Sequence, residues 1–424
     1  LSESAILDAQ DSTRRWKNGK ELSPIDGIPI ALKDNINVIK TPTTGGIKAY
    51  RNQIATYDAH IVTLLKKAGA IILGKLNMHE AAYGATTENE AYGNCNNPHH
   101  IGYTPGGSSG GAGSAVAAGL CAGAIGTDTL GSIRIPSSFC GVVGFKPTFG
   151  RVSNHGIMNL CSTLDHAGPI SRSIEDASLL LEVISKFDDR DPECKMMEPY
   201  LHASINELDS LSNINIGFID NPTITQLNMD IQLAYNQAIL SLSSMNANII
   251  EVNIDNYIPE KLIPMAMLIS GTELYNSHKD IIEVSKEGFS NSFLDKINYI
   301  KKQKASKLSH AIQSIKKVNI YTRKIFQNID VLILPTTPTT AFSFNESIPK
   351  NIAYFTALAN FSGGPALSLP IENSSGIHST KGLPIGMQII TAPGNDSLAL
   401  QVGTVLEKLS NWKPSHYNNN FCRF

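Results

Sequence analysis

Apolar residues run almost unbroken from Ile28 to Leu32 and end at Lys33, a pattern that predicts a buried strand delivering a lysine at its end. Between Asp58 and Ala68, Ile61, Val62, Leu64 and Leu65 recur at helical spacing before Gly69, and Ala70 to Leu73 then reads as a strand. The helical period returns over Ile174 to Ile184 and over Leu398 to Leu409. Further strands are predicted at Ile214 to Ile219, Asn248 to Val252, Val331 to Leu334 and Ile385 to Ile390, with helical patterns between them. Strands alternating with helices predict an α/β fold. Residues 187 to 213 are charged and broken up, which reads as surface loop and short helix, and no internal repeat or linker divides the chain.

One stretch departs from this periodicity. From Gly102 to Gly150 the chain is rich in Gly, Ser and Ala and carries few side chains large enough to pack a core, so close backbone approach is its expected purpose.

Charge and composition narrow the partners. The 35 basic and 37 acidic side chains leave a net charge of −2, so nothing draws the whole chain to a phosphate backbone, and contact with nucleic acid would be local or borrowed from a partner. No run reaches the ~20 apolar residues that span a bilayer. Cys95, Cys121, Cys140, Cys161, Cys194 and Cys422 form no C-x-x-C pair, which points away from a zinc site or disulfide framework and toward a reducing compartment. The sequence starts at Leu1 without an Arg-rich leader, and the expectation is that an upstream segment was removed or never included.

Chemistry is concentrated in two glycine loops, Pro105 to Gly111 and Gly126 to Pro136, whose serines Ser108 and Ser132 lie 24 residues apart. A phosphate cradle would need a Gly-Lys-Ser/Thr step, which is missing. Nucleophilic catalysis needs a serine, a base and backbone donors for the oxyanion. Glycines near Ser132 leave N–H groups open, Lys33 can serve as base if burial leaves it neutral, and Ser108 is the obvious relay. His79, His155 and His166 suggest a Ser-His-Asp triad instead, but the nucleophile-elbow pattern around Ser132 fails at Arg134.

Five tracts, Gly27 to Asn35, the paired-serine loop, Gly131-Ser-Ile-Arg134, Gly144-Phe-Lys-Pro-Thr148 and Leu164 to Ala177, resemble the amidase-signature family, and the likeness extends over nearly the whole chain. The resemblance implies an α/β amidase-signature fold, a large mixed β-sheet core covered by helices on both faces. It implies one domain over 1–424, with a catalytic core at about 25–185. It assigns Ser132 as acylated nucleophile, Ser108 as bridging serine in a cis peptide and Lys33 as general base. Thr129, Leu130 and Gly131 would supply the oxyanion hole, while Ser109, Asp128 and Arg134 read as scaffold for the loop.

Within the family, Gly74 to Gly93 is similar to the tract of tRNA-dependent amidotransferase A subunits. That likeness implies a glutaminase passing ammonia to a B-type subunit, where Glu-tRNA(Gln) is activated with ATP and magnesium, alongside a small third subunit. This chain itself would need no cofactor and no metal. The sequence departs from the family at Leu130, where a glycine is usual, and at Ala353, where glutamine-specific members carry an Asp. Lys296, with Lys301 close behind, is the candidate for gripping the substrate carboxylate. The family's early N-terminal helices are absent, which is expected to expose surface for a partner, and the tail from Asn411 to Phe424 reads as surface packing. Competing readings are a stand-alone amidase on another small carboxamide and a catalytically silent scaffold subunit. The abundance of Asn, Ile and Lys favours a mitochondrial matrix location, with a bacterial cytoplasm as the alternative.

Overall fold

The strands that the periodicity predicts are parts of one ten-stranded sheet. The computed structural model describes residues 4–206, 208, 210–219, 226–377 and 380–412. In chain order the strands are β1 Pro29–Lys33, β2 Ile71–Leu76, β3 Gly123–Asp128, β4 Val143–Lys146, β5 His166–Ser171, β6 Asn215–Phe218, β7 Asn248–Glu251, β8 Val331–Pro335, β9 Ala366–Asn373 and β10 Pro384–Thr391. They lie in the order β2-β1-β3-β5-β4-β9-β10-β8-β6-β7. Pairing is parallel at the two flanks and antiparallel from β3 through to β8, so the sheet is mixed.

The helices are α1 Ala5–Lys17, α2 His60–Lys67, α3 Gly110–Ala117, α4 Arg134–Cys140, α5 Ile174–Ile184, α6 Met229–Ser244, α7 Pro259–Val284, α8 Asn291–Lys301, α9 Ala305–Ile325, α10 Ala357–Ser362 and α11 Asp396–Leu409. They cover both faces, and the two-residue period of each strand decides which core its side chains join. Ile30 and Leu32 pack with Ile61 and Leu65 of α2 and Leu181 of α5, while Ala31 packs with Ala112 and Val116 of α3. Far along the sheet, Val331 and Ile333 join the α6 and α11 side, whereas Leu332 and Leu334 join the side of α7 and α9. Strands buried on both faces read as continuous apolar runs, which is why the sequence signals them.

Local chemistry fixes the ends. At α5 the Ser173 hydroxyl accepts from the Asp176 amide at 3.1 Å, and Glu175 and Asp176 sit in the first turn, where the helix dipole favours acids. The 187–213 segment is less of a surface feature than its charge suggests. Its Asp188, Asp191, Cys194, Tyr200, Ile205 and Leu211 are buried, because its carboxylates turn inward to serve backbone and hydroxyl donors such as Ser153 Oγ and the Asn154 amide. One N-terminal helix, α1, is present and is tied down by Arg15, whose Nε donates to Asp26 Oδ2 at 2.7 Å. In the tail, Trp412 lies edge-on to His99 at 5.9 Å; the rest of the tail, Cys422 included, falls outside the described residues.

Candidate active site

β1 and β3 run parallel, so their C-terminal ends reach the same edge of the sheet. Lys33 shares the face of Ala31 by the strand period, which aims it at the α3 side, where the paired-serine loop enters the helix. It is 0% exposed. Its Nζ lies 2.7 Å from Ser108 Oγ and 2.8 Å from Thr127 Oγ1. Burial pushes the Lys33 ammonium down to about 7, against the opposing pull of Asp165 and Asp128. A lysine in this state is divided between acid and base at neutral pH and can accept a proton.

The Ser108 loop is held by contacts that leave room only for backbone. The Gly107–Ser108 peptide is cis. A Cβ on Gly107 would lie 2.6 Å from the Thr86 nitrogen, so the residue must be glycine for the 85–87 segment to press against it. The Ser108 carbonyl accepts from the His79 amide at 3.1 Å.

The second loop, between β3 and α4, is pinned at almost every residue. Asp128 accepts from the Gly131 amide at 2.8 Å and the Ile133 amide at 3.1 Å, and receives Arg134 through Nε and Nη2, both at 2.9 Å. Arg134 continues to the Thr356 carbonyl at 2.7 Å, Gln388 Oε1 at 2.5 Å and Asn360 Oδ1 at 2.7 Å. Burial would raise the Asp128 carboxyl, but the Arg134 guanidinium and the Asn360 amide outweigh it and hold the group well below the usual range. Thr129 Oγ1 donates to Asp165 at 2.5 Å, Thr356 Oγ1 donates to the Leu130 carbonyl at 2.6 Å, and the Ser132 carbonyl accepts from the Ser109 amide at 3.3 Å. Ser132 itself is half-buried, the one residue from Gly131 to Cys140 that is not fully enclosed.

Each residue singled out in the sequence can now be placed. Lys33 and Ser108 are in contact, and Ser132 is tied to the Ser108 loop through the Ser109 amide. Ser109 Oγ also donates to the Thr127 carbonyl at 3.1 Å, and Asp128 and Arg134 form a fully buried ion pair. Leu130 is absent from the residues with positive φ, whereas Gly131 sits at +130°, so the side chain at 130 is accommodated without backbone strain. The Gly131 amide, however, is occupied by Asp128, which leaves Thr129 and Leu130 of the three expected oxyanion donors. Ala353 packs against an apolar cluster that includes Ile135, Phe139 and Phe342.

Lys296 Nζ donates to the Tyr83 carbonyl at 3.2 Å and lies 5.3 Å from the centre of the Tyr83 ring. With His79, Tyr83, Glu88 and Phe293 it lines a cavity of about 410 Å³, whereas Lys301 is exposed and stacks on Tyr275. Burial pushes His79 down to about 3, and Lys296 and Lys33 act in the same direction, so the ring is neutral. Burial also holds His166 well below its ordinary value, with its Nδ1 at the Leu164 carbonyl, and His155 stacks on Tyr57. The rings of these three histidines turn to other partners, and it is Lys33 that meets the Ser108 hydroxyl. Among the described residues, no group of three or more His, Cys, Asp or Glu side chains could hold a metal ion.

Sequence reasoning left Thr127, Asp165, Thr356, Asn360 and Gln388 without roles. Gln388 had a usable signal, since a polar residue inside the apolar run of β10 must be satisfied from within. Burial pushes Asp165 up to about 6, although Thr129, the Cys161 and Leu160 amides and Lys33 all favour its charged form.

Comparison with known proteins places this arrangement. The family model described as Amidase matches residues 1–400. The A subunit of glutamyl-tRNA(Gln) amidotransferase from a strain of Prochlorococcus marinus is 34% identical over 421 residues, covering 92% of this chain and 85% of that protein. Among solved structures, an inhibitor-bound vestigial complex bearing on the origins of an s-triazine catabolic enzyme contains a chain with 31% identity and a TM-score of 0.88, covering 96% of this chain and 89% of that one. The glutamyl-tRNA(Gln) amidotransferase A subunit of Thermotoga maritima has 27% identity and a TM-score of 0.81, with 97% and 92% covered.

Proposed function

Because the chain belongs to the amidase-signature family of enzymes, we propose that it is the glutaminase subunit of a tRNA-dependent amidotransferase, cleaving the side-chain amide of glutamine through Lys33, Ser108 and Ser132. The observation that carries the reading is a wholly buried lysine amine, held near neutral pH, 2.7 Å from the hydroxyl of Ser108. In this mechanism neutral Lys33 takes the Ser108 proton as Ser108 takes that of Ser132. Ser132 Oγ attacks the amide carbon, and the Thr129 and Leu130 amides receive the developing oxyanion. The proton returns along the same relay to the leaving nitrogen, ammonia departs, and water hydrolyses the acyl-Ser132 ester to glutamate. Ordered in this way, the relay needs no metal or cofactor in the chain.

The released ammonia would pass to a B-type subunit that activates Glu-tRNA(Gln) with ATP and magnesium, with a small third subunit completing the assembly; the similarity to amidotransferase A subunits supports this division. Lys296 would hold the substrate carboxylate. Bacterial relatives favour a bacterial cytoplasm over a mitochondrial matrix for this assembly, and among the described residues no helix is long and apolar enough to cross a membrane. A stand-alone amidase is the second reading, favoured by one observation: Ala353 offers no carboxylate to an α-ammonium group.

Coexpression with a B-type subunit, followed by ammonia release from glutamine and from simple aliphatic amides, separates the two. Ammonia from glutamine that rises on assembly is expected. A lone chain that hydrolyses simple amides fully and leaves glutamine untouched would establish the second reading in its place.

A further inference from the structure

The cavity beside the Ser108 loop carries charges of both signs, with no close ion pair between them among the described residues. On one wall, half-buried Lys296 is desolvated, feels the Glu80 carboxylate at a distance, and bonds a carbonyl and an aromatic face. On another, the segment that follows Thr86 and Thr87 presents Glu88 and Glu90. Among the described residues, no carboxylate lies within ion-pair distance of Lys296 and no cation within that distance of Glu88 or Glu90. Glu80, also on the cavity, is already taken, with the Ser290 amide 3.0 Å from one carboxylate oxygen and the Ser290 hydroxyl on the other. Glu88 is steadied by the Thr86 hydroxyl at 2.9 Å, which fixes the carboxylate while leaving its second oxygen available.

Lys296 is desolvated with no ion pair among the described residues, and a ligand that brings it an anion while carrying a cation can also reach half-buried Glu88 and the exposed Glu90 beside it. The ligand that would do so carries an anion at one end and a cation at the other. The cavity is next to the chemistry, since His79 lines it, donates its amide to the Ser108 carbonyl and feels both Lys33 and Lys296.

We propose that Glu88, with Glu90 beside it, receives the α-ammonium group of an amino-acid amide whose α-carboxylate is held by Lys296. Glu88 thereby supplies the counter-charge that Ala353 cannot. The inference rests on the glutaminase reading and adds to it a specificity residue outside the catalytic loops.

The test compares glutamine with glutaramate, which keeps the carboxamide and the carboxylate but lacks the ammonium group, using the assembled enzyme. The wild-type protein should prefer glutamine in kcat/KM. In Glu88→Gln the glutamine-to-glutaramate ratio should fall by about 10- to 100-fold, the range lost with a hydrogen bond to a charged group, and a Glu88→Gln/Glu90→Gln double variant should lose at least as much. A merely structural role for Glu88, acting through the Thr86 segment that presses on Gly107, would lower both substrates equally and leave the ratio alone. That result overturns the proposal, as does an unchanged ratio in the double variant. A wild-type ratio near one overturns it without any variant. Hydrolysis of glutaramate alone, or of neither compound, would defeat the glutaminase reading too, whereas a glutamine preference indifferent to Glu88 and Glu90 would defeat only this clamp.

Discussion

Lys33 and Lys296 are both drawn below the ordinary lysine range by burial, yet the surroundings that do this differ in kind. Lys33 stands on a strand end, wholly enclosed, with two hydroxyl partners set by neighbouring backbone. Lys296 projects from α8 into a cavity, half-buried, with a carbonyl and a ring for company. The first region is built of small residues whose backbones touch, and Lys33 bonds the Ser108 and Thr127 hydroxyls within it. The second is built of helices and a polar loop, and its Lys296 and Glu88 have no ion pair among the described residues. A reacting group gains from a fixed geometry and a fixed proton affinity, while a recognition group must keep its bonding capacity for the substrate.

The sharpest way to break this contrast is to remove chemistry from the enclosed region. Ser132→Ala should lower amide hydrolysis by at least about a thousandfold with the thermal unfolding midpoint nearly unchanged, because a half-buried hydroxyl contributes little packing. Lys33→Arg should be comparably inactive, since a guanidinium keeps the charge but does not deprotonate near neutral pH. Substantial activity in Lys33→Arg would make Lys33 a structural cation and leave the enclosed region without its base.

Stability supplies the next comparison. Arg134→Met leaves the Asp128 carboxylate buried and unpaired, and it also strips bonds from Thr356, Asn360 and Gln388; a loss of about 3–5 kcal/mol is expected in urea unfolding. Lys296→Met, removing a half-buried charge with no ion pair among the described residues, should cost about 1 kcal/mol or less. Equal losses for the two would mean that the cavity wall is as tightly braced as the nucleophile loop.

The sequence made these two regions legible to different degrees. Strands buried on both faces, such as β1 and β8, announce themselves as apolar runs, and their predicted limits differ from the observed ones by one residue. β3 and β5 did not, because Gly, Ser and Ala make up half of each and the information lies in what the backbone approaches, as where Gly126 faces the side chain of Ser109; β4, four residues long, is too short to show a period. The contact of Lys33 with Ser108, 75 positions away, was readable only as a motif, for no local pattern encodes which loops meet. The Asp128–Arg134 pair sits within one loop and could be read from spacing, whereas its extension to Asn360 and Gln388 depends on how distant strands come together. Leu130 is the instructive case: it stands where a glycine is usual, yet Gly131 takes the unusual φ and Leu130 is not among the positive-φ residues.

The smallest expected effect tests how the enclosed region sets the proton affinity of Lys33. Asp165 is buried close enough to raise the Lys33 value that burial lowers to about 7, and its own carboxyl is pushed up to about 6. Acylation should rise with pH through about 7 in the wild-type protein, as Lys33 loses its proton. Asp165→Asn keeps the shape and one oxygen for hydrogen bonding but removes the negative charge, so the ammonium loses a stabilising neighbour and the rising limb should move to lower pH, giving a relative rate at pH 6 higher by roughly twofold. Stability carries a separate signature with a determined sign. A carboxyl whose folded value lies above its unfolded one contributes stability below the unfolded value of 3.8, and that contribution is lost as pH rises through about 6. Asp165→Asn should remove that decline, so its unfolding midpoint should vary less than that of the wild type between pH 4 and 6. Lys33 acts in a different window: its folded value is depressed, the unfolded chain binds more protons between about 7 and 10.5, and stability from this group rises with pH there in both proteins. A limb that stayed in place would show that the Asp165 charge does not reach Lys33. A limb displaced to higher pH would show that Asp165 acts chiefly by holding Thr129 and the 160–161 amides in position.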